Sequence, residues 1–404
     1  MKTQQLAPLA IGLLAAGLLA LVFTNARSRD VTKVGQSTDR NRVMPGFPVN
    51  QINSVVIKDA KGSLTLEKKD NTWIVLERAG YRADFSKIGG LLKTVYDLAI
   101  VQTKEVGPSK FGRVGLLDPA DQAAPVGQSA TVVTFKDAKG AEAGALWVGA
   151  EYKKEERSQF GTFDSTAGRY VRRGGSDEVY LVAEDLKDAK TEPKEWISKD
   201  FFKVTKVKTI SRTVSDAAKS WTLTRESDTA DFTLVDAKPG EELDSAKVGP
   251  MKTAFSSPSF EDILTGDKVE KPSEVTIKVE TFDGFRYETK FSPKNDLGEY
   301  DMTVSVSAEF PAARKAVEGE KEEDKKKADE DFAKAIEELK KQLAAESKLA
   351  GHVYHVRGFV VDSINKDRAD LFKGEEPAAA AEGAGPGSSL PGLDSILPGV
   401  GGPK

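Results

Sequence analysis

The first pattern along the chain is an unbroken apolar run, residues 6–23, which is 18 residues long and carries no charge. That length is enough to cross the hydrocarbon core of a bilayer as a helix. An uncleaved transmembrane anchor is expected over 6–23, behind a short cytoplasmic stub at 1–5. The alternative is a cleaved secretory signal, with a weak basic start at Met1-Lys2 and a poor cleavage site at Thr24-Asn25-Ala26. Arg27, Arg29 and Lys33 follow the run and on charge counting would hold that side inward. Long downstream domains, however, translocate largely regardless of flanking charge. The bulk of the chain is therefore expected outside. Residues 24–49 read as a polar linker that lifts the folded part off the bilayer.

From residue 50 the apolar positions alternate, which marks half-buried strands. Runs at 52–57, 63–67 and 72–76 are separated by Asp59-Ala60-Lys61-Gly62 and Lys69-Asp70-Asn71, both turn sequences. They predict a three-stranded meander. Asp84 or Ser86 can then cap a helix running to about Asp97. Ile88, Leu91, Leu92, Val95 and Tyr96 fall on its packing face. After a loop holding Gly115-Leu116-Leu117-Asp118-Pro119, strands are expected at 130–135, 145–148, 169–172 and 178–182, with a turn at 137–140. A polar helix over 184–190 and the stretch 196–202 close this first unit, residues 50–202.

The same order then returns. Residues 207–210, 221–225 and 232–235 stand where the first meander stood, and Asp244 caps a second helix start. Strands at 274–279 and 285–289 flank Asp283-Gly284, a strong turn signal. Residues 352–356 and 359–361 return the region of Tyr170. The second unit, 203–373, carries an insertion at 311–348 with ten basic and eleven acidic residues. Phe332, Ile336, Leu339 and Leu343 form a narrow apolar stripe on it, either laid on its own sheet or gripping a partner helix as a coiled-coil arm. The tail, 374–404, is rich in Ala, Gly and Pro and is expected to be disordered, with a small apolar island at 390–397. The fold class is thus α+β: two tandem units, each a mainly antiparallel sheet with a packed helix, behind one N-terminal membrane helix.

Composition narrows the function by exclusion. With 59 basic against 63 acidic residues and a net charge of −4, no global field points to nucleic acid. The absence of cysteine removes disulfides, thiolate chemistry and a lipoprotein signal at once. The two histidines, His352 and His355, sit in a run that reads as a strand, where positions three apart face opposite ways, so a shared metal is not expected. No phosphate-binding loop and no nucleophile elbow is present. Gly89-Gly90 and Gly174-Gly175 read as turn or packing glycines. Trp73, Trp147, Trp196 and Trp221 read as core residues, with a carbohydrate platform as the sharper alternative. No catalytic, cofactor-binding or metal-binding residue is nominated, and no small-molecule substrate is evident.

The block from Ile52 through the Trp73 strand, the Ala83-Asp84 helix start and the Gly115-Leu116…Pro119 loop resembles the bacterial family called domain of unknown function 4340. The resemblance covers about residues 50–190, with the second half as a diverged repeat. It implies an inner-membrane, single-pass protein facing the periplasm or cell exterior. Such proteins are often encoded beside an ABC-type permease and an auxiliary subunit like those of gliding-motility transporters. The implied partners are the lipid bilayer and those transporter subunits. The expected function is a non-enzymatic accessory or scaffold protein; the alternative is an envelope module binding glycan or peptidoglycan.

Overall fold

The structure is a computed structural model that describes residues 41–373, apart from 159–160, 267–268, 270–271 and 316–318. The apolar run at 6–23, the stub, most of the linker and the tail lie outside the described residues. Among the described residues no helix is long and apolar enough to cross a membrane.

The chain builds two antiparallel sheets with few helices, an α+β arrangement. In the first sheet β1 (Ile52–Lys58), β2 (Ser63–Lys69) and β3 (Thr72–Val75) form the expected three-stranded meander, to which β4 (Tyr81–Arg82) adds a short fourth strand. β6 (Thr131–Asp137), β7 (Glu142–Ser158), β8 (Gly161–Arg173) and β9 (Val179–Val182) continue it, and β5 (Gln102–Lys104) closes the far edge. The strand order is β4-β3-β2-β1-β6-β7-β8-β9-β5. The second sheet contains β10 (Val207–Val214), β11 (Trp221–Thr224), β12 (Thr233–Leu234), β13 (Asp262–Leu264), β14 (Val275–Thr281), β15 (Phe285–Phe291), β16 (Glu299–Ala308) and β17 (Val353–Arg357). Its order is β12-β11-β10-β14-β15-β16-β17-β13, the order of the first sheet without the outer β4.

Helices enter each sheet at the same point. Asp84 caps α1 (Phe85–Asp97), accepting from the amides of Ser86 and Lys87, and the apolar face Ile88, Leu91, Leu92 and Val95 is buried. Tyr96 does not join that face: it is exposed, with the Arg42 guanidinium 4.2 Å from its ring centre. In the second half Asp244 caps α2 (Ser245–Val248), a single turn that passes into a 3-10 stretch at Gly249–Thr253. Pro250 ends the α-helical pattern there by removing a donor. The insertion forms α3 (Glu322–Glu346), whose Leu339 and Leu343 pack on the core while Phe332 and Ile336 are half-buried outside it. Glu346 anchors its end. This buried carboxylate accepts from the Tyr287 hydroxyl at 2.9 Å and the Lys203 amide at 3.1 Å.

Several expectations are corrected. Residues 41–49, placed in the linker, belong to the folded body: Val43, Met44 and Phe47 are buried, and Phe47 meets Phe135 edge-on at 4.8 Å. β7 and β8 run far past 145–148 and 169–172. Beyond the Glu151–Arg169 pair they pair only with each other as far as Ser158 and Gly161, a two-stranded ribbon that runs past the other strands. Charged residues such as Lys153 and Lys154 hid that ribbon from a search for apolar alternation. The counterpart of the Tyr170 strand β8 is β16, not residues 352–361; its partner strand β17 takes the place of β9. Residues 184–190 are not helical, because Leu186 adopts φ +49, a left-handed conformation that interrupts any helix.

Candidate functional site

Between α1 and the segment that follows β9 lies a cavity of about 580 Å³, within the usual range for ligand sites. The outer wall is built by a chain that leaves β9 and returns to the start of α1. Leu186 turns it inward, so that Leu186 and Ala189 are buried. Thr191 ties it to the β1–β2 turn through a 2.8 Å bond to the Asp59 carboxylate. Trp196 is 2 % exposed, its indole N–H donating to the Lys190 carbonyl at 2.9 Å. The Asp84 amide donates to the Trp196 carbonyl at 2.7 Å, and the Ser198 amide to the Arg82 carbonyl at 2.9 Å. Both ends of this wall are therefore held by the scaffold.

The inner wall is α1. Its Gly89 and Gly90 were read as packing or turn glycines, and this is corrected: both lie inside the helix, and a Cβ on either would meet nothing within 4 Å. Two glycines inside a helix cost about 1 kcal/mol each relative to alanine, and no close contact demands them here. Gly90 borders the cavity, so its missing side chain widens it. Gly174-Gly175 fit their expectation, since Gly175 has φ +74 and a Cβ on Gly174 would lie 2.9 Å from that of Ala145.

Leu91, Leu186, Ala189 and Trp196 make the floor apolar, while Glu184, Asp185, Asp188 and Glu195 line the sides against Lys87 and Lys190. The cations are partly committed: the Lys87 ammonium donates to the Glu195 carbonyl at 2.5 Å. Among the lining carboxylates Glu184 has an orphaned oxygen. It is half-buried, and its Oε2 is shut away from solvent with no hydrogen-bond donor. A carboxylate oxygen buried without a donor is costly, typically by several kcal/mol for a charged group. The sequence pointed elsewhere, because 184–190 read as a solvated helix; the one available signal was a glycine pair inside an otherwise good helical pattern.

The other groups weighed in the sequence are placed apart. His352 packs inward, its ring 4.9 Å from that of Tyr81, and burial lowers its pKa. His355 faces outward between Asp301 and Glu299, each 3.0 Å from a ring nitrogen. The two histidines thus serve opposite faces, and among the described residues no His, Asp and Glu group is arranged to hold a metal. Trp73, Trp196 and Trp221 are in the core; Trp147 is half-buried beneath the Arg172 guanidinium at 3.6 Å.

Comparison with curated proteins and with solved structures returns no significant match. A family model described as Domain of unknown function (DUF4340) matches residues 73–278. That stretch starts in β3 and ends in β14, so it runs through the cavity and across both sheets instead of stopping near residue 190. Since the match covers just over half of the sequence, the chain belongs to the DUF4340 family.

Proposed function

We propose that this chain is a membrane-tethered accessory protein that binds a partner and does no chemistry of its own. The observation that carries the reading is the cavity beside α1: a preformed, apolar-floored space with both walls anchored in the scaffold. That is the build of a recognition site. The apolar run at 6–23 supplies the tether, with the folded body outside the membrane, and the family resemblance suggests an ABC-type permease and its auxiliary subunits as partners. The glycan-binding alternative is less favoured, because three of the four tryptophans are in the core.

Affinity purification of the full-length protein in mild detergent, followed by mass spectrometry, tests this reading. Permease and ATPase subunits at near-equal amounts are expected. A protein that comes through alone would overturn it.

A further inference from the structure

We propose that the cleft where the two sheets meet binds a small soluble phosphomonoester, with its phosphate group among Arg82, Lys348 and His352. This cleft shares no lining residue with the cavity beside α1 and does not rest on the accessory reading.

The cleft encloses about 290 Å³, at the small end of the usual range for ligand sites. One wall is the edge of the first sheet. After β3 the chain passes through Leu76–Arg78, then turns at Ala79 and Gly80, both left-handed at φ +54 and φ +71. That turn returns Tyr81 and Arg82 to β3 as the short strand β4. The other wall belongs to the second half. The buried Glu346 fixes the end of α3, and the next turn, Ser347–Leu349, carries Lys348 to the cleft. The Leu349 carbonyl accepts from the Tyr354 hydroxyl at 2.7 Å, and His352, just before β17, meets the Tyr81 ring edge-on at 4.9 Å. Both walls are set by the fold itself.

Three observations point to a phosphate. First, Arg82, Lys348, His352 and the Thr72 hydroxyl line the cleft and no carboxylate does, in a chain whose 63 acidic residues outnumber its 59 basic ones. Second, the donors are uncommitted. Among the described residues the Lys348 ammonium, the His352 ring and the Thr72 hydroxyl have no hydrogen-bond or ion-pair partner. Arg82 uses only Nη2, on Asp200 at 3.0 Å, and Asp200 lies off the cleft, where it also accepts from the Ser198 hydroxyl at 3.1 Å. His352 is half-buried, yet neither ring nitrogen is shut away from solvent, so a ligand in the cleft can reach them. Third, the donors come from three separate elements, which suits the three acceptor oxygens of a phosphate. Ile74, Ala345 and Leu349 give a short carbon chain an apolar surface to lie against.

Binding moves a proton. Burial lowers the pKa of His352, so the free ring is neutral at pH 7. An anion beside it favours the charged form. The groups that face the ring are Tyr81 and Arg82 of β4, Lys348, and Tyr354 of β17, with Asp200 beyond Arg82. Burial pushes both tyrosines above their usual range, which leaves His352 as the group whose protonation the ligand changes.

The test uses the full-length protein in detergent, with isotope-labelled histidine. The chain has two histidines, so its imidazole spectrum holds two signals, assigned with His355→Gln. Glycerol 3-phosphate is expected to move the His352 signal saturably and to raise its pKa by about one pH unit, while the His355 signal stays in place. Lys348→Ala should weaken binding by about tenfold or more. Lys340→Ala, on α3 but off the cleft, should leave it unchanged. Thermal melting of each variant separates lost binding from lost folding. An unmoved His352 signal, or binding that survives Lys348→Ala at full strength, would overturn the proposal. Acetate binding as tightly as glycerol 3-phosphate would overturn the phosphate class in favour of a carboxylate. Nanodiscs of phosphatidic acid that move the signal where glycerol 3-phosphate does not would overturn the soluble source in favour of a lipid headgroup.

Discussion

The two sheets share a strand order but are covered differently. The first sheet is covered on both faces. One face carries α1 and the main core, and the other carries the 105–130 loop, whose Phe111, Val114 and Leu116 form a small cluster with Val132, Trp147 and Tyr170. That loop lies so close that a Cβ on Gly149 would come within 2.3 Å of the Val114 carbonyl, and Gly115 must turn at φ +67. The second sheet buries one face only. Its other face is a ladder of opposite charges across β14 and β15: Lys278 with Glu288 at 3.3 Å, Lys290 with Glu288 at 3.4 Å, and Arg286 with Glu280 at 3.8 Å. Such exposed pairs contribute little stability but keep the face wet. The first half spends its outer face on packing and keeps a cavity beside a full helix. The second shortens the helix, fixes the return segment with Lys366 and keeps a polar face. One strand order thus supports two surfaces, because what covers a sheet is set by its loops and not by its pairing.

The sheets are joined by an aromatic seam and one buried-edge ion pair. Tyr81 meets Phe260 at 6.0 Å and Tyr354 at 6.1 Å, and the Arg78 guanidinium grips both oxygens of Asp262 at 2.7 Å. A single continuous core runs through both halves.

The largest expected effect tests whether the halves stand or fall together. Trp196→Ala in the first half and Trp221→Ala in the second each empty a buried ring, at a cost of about 3–5 kcal/mol. Because the core is continuous, both variants should shift one common urea transition; two separate transitions would show the halves to be independent. Arg78→Ala comes next. It leaves Asp262 unpaired at the seam and should cost about 2 kcal/mol, and a shift near zero would mean that the aromatic packing alone joins the sheets. Gly90→Ala should instead raise stability by about 0.5–1 kcal/mol, since its Cβ meets open space. The same change at Gly175, held at φ +74, should lower it. A loss at Gly90 would mean that the helix needs the glycine for its own packing.

The smallest effect is on pH. Burial works against protonation of His355, yet hydrogen bonds from its ring to Asp301 and Glu299 raise its pKa overall. The hydrogen bond to His355 holds Glu299 below its usual range. Arg357 pairs with Glu261 beside them. The His355 contribution is complete below the ordinary histidine pKa of about 6.5 and is lost as pH climbs through its raised folded value. The Glu299 contribution is complete above the ordinary glutamate range and is lost as pH falls through its lowered value. His355→Gln should therefore flatten the alkaline side of the stability profile, measured by thermal melting from pH 5 to 9. An unchanged slope would exclude the cluster as its source.

The meander, the Asp84 and Asp244 caps and the Asp283-Gly284 hairpin were legible in the residues, because each depends on local alternation, a capping oxygen or a positive φ at glycine. The return of the same element order was legible for the same reason. The cavity was not. Leu186 takes a left-handed conformation that local propensity opposes, and it does so only because tertiary packing buries its side chain. The β7–β8 ribbon escaped notice because its strands carry polar residues beyond the sheet, whereas β16 was missed although Tyr300, Met302 and Val304 alternate along it and enter the core. What the sequence determined by itself was where strands, caps and turns fall, since those follow from contacts within a few residues. What only the tertiary structure decided was which polar group ends up without a partner. Glu184 is one acidic residue among 63, and only the fold shows that one of its oxygens has been taken from water with nothing given in return.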